Sequence, residues 1–248
     1  MSVFVIGDLH LSTNQHTNKS MEVFGKRWTG YLQKLQSGWV AVVEENDTVI
    51  IPGDISWAMR LEEAADDLSW LQKRPGIKLI GKGNHDFWWA TQKKMQQFFD
   101  ENGFDSLRIL YNNAYVVEDQ IVCGTRGWFL DEHQQVTVGD ADYQKIAARE
   151  VIRLKLSLDE AKRLQTEHEM TTGQKLPIVV YLHFPPVWQS FCCQEFVDLF
   201  HEYGVRHCYF GHIHGSYSLE RHFVAEDIEF TLVSSDFLNF SPLPVRIG

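Results

Sequence analysis

The sequence predicts an α/β fold, and two observations predict it. Five short apolar runs each end at a glycine or a turn and are followed at once by Asp, Asn or His. Between the first three of them lie segments with apolar residues at three- and four-residue spacing. Short runs rich in β-branched and aromatic residues read as strands, and the spaced segments read as helices. Strand, helix, strand, helix, strand is the signature of an α/β layer.

The first run, 3–6, leads into Gly7-Asp8-Leu9-His10. Met21, Phe24, Trp28, Leu32, Leu35 and Trp39 then fall on one helical face. Thr48–Ile51 is the second strand, before Pro52-Gly53-Asp54. Leu61, Ala64, Ala65, Leu68 and Leu71 mark a second helix, which Pro75-Gly76 stops. The third strand, 78–80, precedes Gly83-Asn84-His85-Asp86, and a helix follows over 91–99. Short strands are expected at 107–111, 114–117 and 121–123. From 141 to 170 the pattern is helical and highly charged; Ser157-Leu158-Asp159-Glu160 fits a capping box, which leaves a division into two helices open beside a single one. Ile178–Leu182 before His183, and His207–Phe210 before Gly211-His212-Ile213-His214, complete the five runs. A helix over 191–203 closed by Gly204, and a terminal hairpin from 217–224 and 228–234, account for the rest.

Composition bounds the function. The 248 residues are 44% hydrophobic, with 16 Phe, 8 Trp and 8 Tyr, enough to bury a sizeable core. This excludes a disordered, collagen-like or disulfide-dense chain. With no repeat and no Pro/Gly/Ser-rich linker, 1–248 is expected to be a single domain with a helical insertion near 140–170. The formal charge of −10 argues against non-specific nucleic-acid binding, leaving nucleic acid an unfavoured partner, and against an anionic membrane surface. It does not exclude an anionic substrate, because bound metal can invert the local field. No apolar stretch reaches the roughly 18 residues a membrane helix needs, and no leader pattern opens the chain. The four Cys lack CxxC spacing and read as reduced thiols, so a cytoplasmic location is expected.

Five strand ends each deliver oxygen or imidazole donors, and in open α/β sheets ligands bind at those ends. Neighbouring glycines allow the chain to turn sharply there. A lone Asp-x-His or His-x-His says little; Asp8, His10, Asp54, Asn84, His183, His212 and His214 together are too many for one tetrahedral ion. They suit two ions about 3.5–4 Å apart that share a carboxylate. Mixed imidazole, carboxylate and amide donors favour Mn, Fe or Zn, and the absence of Cys disfavours a structural zinc site.

The ordered series Gly-Asp-x-His, Gly-Asp, Gly-Asn-His-Asp, His and Gly-His-x-His, spread from residue 7 to 214, resembles the calcineurin-like metallophosphoesterase superfamily. The stretches around Asp54, His85 and Arg126, Gly124-Thr125-Arg126-Gly127-Trp128 among them, are similar to a bacterial branch of predicted phosphohydrolases. The resemblance implies two packed mixed β-sheets forming a sandwich flanked by helices, in four layers. It implies that Asp8, His10 and His214 hold a first divalent or trivalent metal. Asn84, His183 and His212 would hold a second, and Asp54 would bridge them. A bridging hydroxide would attack phosphorus in line, and His85 would protonate the leaving oxygen. Many members carry an Asp three residues after the bridging one, which orients that His; here the position is Trp57.

Arg126 and Arg60 are candidates for phosphate contact beside Asn84, against the plain reading of surface arginines paired with acids. Trp57, Trp88, Trp89 and Trp128 are expected to wall the site, with stacking on a nucleobase or sugar as the alternative. The charged 140–170 stretch reads first as a solvated helical face, with a lid or homo-oligomer contact as alternatives. The expected function is hydrolysis of a small-molecule phosphomonoester or phosphodiester, the diester weakly favoured. The competing readings are a nuclease and a non-catalytic metal-binding protein-interaction scaffold.

Overall fold

The computed structural model describes residues 1–14, 19–128 and 140–247, and all five apolar runs are strands in it. β1 (Val3–Val5), β2 (Thr48–Ile51), β3 (Ile77–Ile80) and β4 (Leu107–Ile109) run parallel in one sheet. In the other, β6 (Gln120–Thr125), β7 (Ile178–Leu182), β10 (His207–Phe210) and β12 (Ile228–Leu232) are parallel. β5 (Asn113–Val117) and β11 (His222–Ala225) close its edges antiparallel, and β13 (Leu243–Pro244) does the same beside β1. A small hairpin joins β8 (Val187–Trp188) to β9 (Phe191–Cys192).

The sheets stack because the second is apolar on both faces. Val122, Val179, Tyr181 and Tyr209 join the buried cluster of the first sheet. Their strand neighbours Ile121, Cys123, Val180, Leu182, Cys208 and Phe210 turn the other way. There they pack with Leu154 and Leu158 of α4 (Asp140–Thr172) and with Phe196 and Phe200 of α5 (Gln194–Tyr203). That period of two is what a strand buried on both sides requires. Leu35 and Trp39 of α1 (Tyr31–Val42), Leu68 and Leu71 of α2 (Ala65–Gln72), and Met95 and Phe99 of α3 (Gln92–Asn102) pack into the first cluster. The order is helices, sheet, sheet, helices, the architecture the resemblance implied. The sheets are also joined by backbone: Gly7 N–H donates to Val233 O at 2.7 Å, and Ser235 N–H to Gly7 O at 2.9 Å.

Three helical expectations need correction. The face from Met21 to Trp39 is not one helix: two 3₁₀ turns, Met21–Phe24 and Lys26–Trp28, precede α1. Gly25 and Gly30 at φ 119° and 64° break the path, which leaves Phe24 exposed while Trp28 stays buried. The charged stretch is a single helix, α4, so Ser157 is no cap. It sits mid-helix and buried, accepts from Gly124 N–H at 2.8 Å and donates to Asn113 O at 2.7 Å, tying α4 to two strands. The helix expected from 191 begins at Gln194, because Phe191 and Cys192 pair with the preceding strand instead. The hairpin of β11 and β12 is present but not terminal, since β13 follows it.

Candidate metal centre

The loops after β1, β2, β3, β7 and β10 meet where the two sheets abut. Asp8, His10, Asp54 and His212 all have left-handed backbones, at φ 56°, 46°, 51° and 73°. Each such residue costs on the order of 1 kcal/mol or more, and persists only where its surroundings over-determine it. Here they do. Asp8 N–H donates to Gly53 O at 3.1 Å, His10 N–H to Asp54 O at 2.9 Å, and Leu11 N–H to Ile55 O at 2.8 Å. Buried Asp86 clamps the next pair of loops. Its carboxylate accepts from the N–H groups of Gly83, Asp54, Ile55 and Ser56 at 2.8, 2.8, 2.9 and 3.2 Å, and from the Trp88 indole at 3.0 Å. Two glycines are required by close approach: a Cβ on Gly83 would lie 2.0 Å from Asp54 Oδ1, and one on Gly211 would lie 2.4 Å from Asp8 Oδ2.

All seven expected ligands come together. His10 Nε2 is 3.2 Å from His214 Nε2, which lies 3.8 Å from Asp8 Oδ1. Asn84 Oδ1 is 2.6 Å from His183 Nε2 and 3.1 Å from His212 Nδ1. Asp54 Oδ2 stands between the two sets, 3.7 Å from His10 Nε2 and 3.6 Å from His183 Nε2. Donor atoms of Asp8, His10 and His214, and again of Asp8, Asp54 and His183, lie within 4.8 Å of one another, a spread suited to a metal ion. Electrostatics agrees. Burial pushes the Asp8 carboxyl up to about 6, against the pull of His214. Burial, with Asp86 and Asp8 nearby, holds the Asp54 carboxyl well above its usual range. Burial drives the His10 and His183 imidazoles down. Neutral imidazoles facing dehydrated carboxylates form a donor set that a divalent cation satisfies.

One residue of the site was missed. Burial lowers His214, but a 2.9 Å hydrogen bond to Asp236 Oδ1 and the charges of Asp8 and Asp236 outweigh it and raise it. Asp236 is fully buried and also accepts from the Tyr217 hydroxyl at 2.8 Å. It follows an apolar strand, as the other acids of the site do, and that was the available signal.

His85 lies beside the ligands: its N–H donates to Asp54 Oδ1 at 2.8 Å. Its ring has no hydrogen-bond partner among the described residues. It packs 4.3 Å from Trp57, the residue standing where an orienting Asp is common, and Trp57 in turn stacks 5.0 Å from His10. A cavity of about 360 Å³ opens here, lined by His10, His85 and His214 with Phe24, Trp28, Trp57 and Tyr217. Trp57 is therefore a wall, as expected, and Trp28 is a second that the sequence did not single out. Trp88 is buried under Asp86. Trp89 packs on Tyr111 and Trp128 on Phe184, both outside that cavity.

Arg126 follows β6, and its carbonyl accepts the N–H groups of His183 at 3.1 Å and Phe184 at 2.9 Å. Its guanidinium pairs with buried Glu150 at 3.0 Å. Arg60 is exposed where the 3₁₀ turn Leu61–Ala64 begins, and its backbone N–H donates to Glu63. No contact among the described residues brings Arg60 to the ligands.

Among curated proteins, none matches this chain. The fold is shared with solved structures at low identity. Phosphopantetheinyl hydrolase from Mycobacterium tuberculosis superposes with TM-score 0.55 at 13% identity, covering 100% of this chain and 96% of that one. TT1561 of Thermus thermophilus superposes with TM-score 0.56 at 10% identity, covering 98% and 97%. The sequence family described as calcineurin-like phosphoesterase matches residues 1–216, a span that takes in all seven expected ligands but not Asp236. The chain belongs to the calcineurin-like phosphoesterase family.

Proposed function

We propose that this phosphoesterase hydrolyses a small phosphoester, a diester in preference to a monoester, at a two-metal centre. The observation that carries the reading is Asp54 Oδ2, one oxygen between His10 Nε2 and His183 Nε2 at 3.7 and 3.6 Å. Asp8, His10 and His214 would hold one ion, and Asn84, His183 and His212 the other, with Asp54 shared. Mn, Fe and Zn suit these donors. When bound, the metals supply positive charge to the phosphoryl oxygens and acidify a water molecule.

The remaining chemistry belongs to the chain. His85, tethered to Asp54 through its backbone, sits at the wall of the cavity and would hold a proton for the leaving oxygen. Packing against Trp57, rather than a carboxylate, fixes its ring. The apolar walls Phe24, Trp28 and Trp57 suit an apolar or aromatic ester group and exclude water from it. The missing second Asp weakens any likeness to phosphoprotein phosphatases, and the room beside His85 favours a diester. No helix among the described residues is long and apolar enough to cross a membrane.

The test uses the metal-supplemented protein on p-nitrophenyl phosphate and bis(p-nitrophenyl) phosphate. The diester is expected to show the higher kcat/KM; equal values remove the preference. Asp54→Asn is expected to lower turnover by about a hundredfold or more and to reduce metal content. Unchanged hydrolysis in that variant would overturn the reading.

A further inference from the structure

We propose that Lys82, Arg126, Arg149 and Arg153 form an anion subsite beside the second ligand set, built for a phosphate-class group. A substrate reaching from the metals to this subsite then carries a second anionic group. The proposal rests on the phosphoesterase reading for its link to substrate, but not for the anion binding itself.

Placement comes first. Lys82 follows β3 and stands two residues before Asn84. Arg126 follows β6, hydrogen-bonded through its carbonyl to His183 N–H. Its guanidinium carbon lies 5.8 Å from the Phe184 ring centre, and that ring packs 4.9 Å from His183 and 4.5 Å from His212. Arg149 and Arg153 come from α4. Arg153 lies 5.9 Å from the centre of the Tyr111 ring, and Arg149 stands one helical turn before it on the same face of α4.

Charge comes second. Glu150 is wholly buried and binds both Arg126, at 3.0 Å, and Arg153, at 2.5 Å. A plain structural triad that staples α4 to β6 would need only these three residues. Among the described residues, one carboxylate shared by two guanidinium groups leaves a positive charge unmatched, and Lys82 and Arg149 add to it. Burial and the charge of Arg126 push the Lys82 amine down, against the opposing pull of Asp86 and Glu150; the Asp86 carboxylate also accepts from five N–H donors. Four cations at one rim against one shared carboxylate and Asp86, among the described residues, stand out in a chain of net charge −10.

Orphaned donors come third. Among the described residues, Arg126 Nε and the Trp128 indole N–H are buried without a hydrogen-bond partner, as is the acceptor Glu150 Oε2, and the Arg126 guanidinium carbon lies 5.6 Å from the Trp128 ring centre. A tetrahedral oxyanion offers acceptors for such donors and the charge to balance the cluster.

The experiment uses the full chain, freed of metal by chelation and dialysed, at low salt, with inorganic phosphate as the probe. Phenylglyoxal labelling of the wild type is read by peptide mass spectrometry. Phosphate should slow modification of Arg149 and Arg153 by about fivefold or more, with exposed Arg221 unaffected. In calorimetry, the Lys82→Gln/Arg149→Gln double variant, which leaves the Glu150 triad intact, should weaken phosphate binding by about tenfold or more. Equal labelling with and without phosphate would overturn the proposal, as would unaltered binding in the double variant. Because the metal is absent, loss of protection leaves the hydrolytic reading standing, and loss of hydrolysis leaves the subsite standing.

Discussion

At His214 the decisive contact is one that no spacing in the motif marks. Asp236 holds Nδ1 at 2.9 Å, which directs Nε2 toward His10 and raises the basicity of the ring. Carboxylate partners of this kind typically alter metal affinity by about 10–100-fold. Asp236→Asn is therefore expected to weaken metal binding within that range while far-UV circular dichroism stays unchanged. Excess metal should restore activity, and unaltered affinity would remove Asp236 from the site. His85 gives a second prediction. Without it the leaving oxygen departs unprotonated, so His85→Ala should slow alkyl esters more than p-nitrophenyl esters. An equal loss on both would argue against its role as an acid.

Lys78 belongs to the same scale but to stability. It is buried at the start of β3 and donates to the carbonyls of Arg74 and Gly76 at 2.7 and 2.8 Å. Burial lowers its pKa from 10.5 to about 8. Between those values the unfolded chain binds more protons than the folded one, so stability should rise with pH there. The slope would be at most about 1.4 kcal/mol per pH unit, and below the lower value the charge-burial cost is fully present. Urea unfolding of Lys78→Met across that window should lack the slope; a slope equal to wild type would refute the assignment.

At the scale of elements, the strands were legible and the helices less so. A strand run ending in Gly-Asp or Gly-His announces itself through β-branched residues and a turn. The break before α1 depends on left-handed Gly25 and Gly30, which periodicity cannot see because Met21 and Trp28 remain on the buried side. Ser157 misled for a related reason. A serine before acidic residues reads as a cap, yet tertiary contacts with β5 and β6 use its hydroxyl inside a helix. Ser157→Ala should leave Gly124 N–H and Asn113 O buried without their partner and cost about 1–3 kcal/mol. The check is the urea midpoint, and a change near zero would show that water replaces the hydroxyl.

Across the whole molecule, the clustering of the seven candidate ligands was legible because they recur at the same place on five strands. The parallel strands bring those ends together, and the Gly7–Val233–Ser235 backbone link joins the two sheets at that point. Asp86 and Asp236 were legible as acids but not as supports, since that role appears only once the loops are folded on each other. Arg60 was the reverse case, attractive in sequence by proximity to Asp54 and solvent-exposed in space. The long-range claim is that one sandwich edge makes a shared two-metal site inside an acidic chain. It is tested most directly by titrating metal-free protein with Mn²⁺ while native mass spectrometry and diester hydrolysis are followed together. Two bound ions per chain, with hydrolysis appearing as the second binds, are expected. Full hydrolysis at one ion, or in the chelated protein, would contradict it.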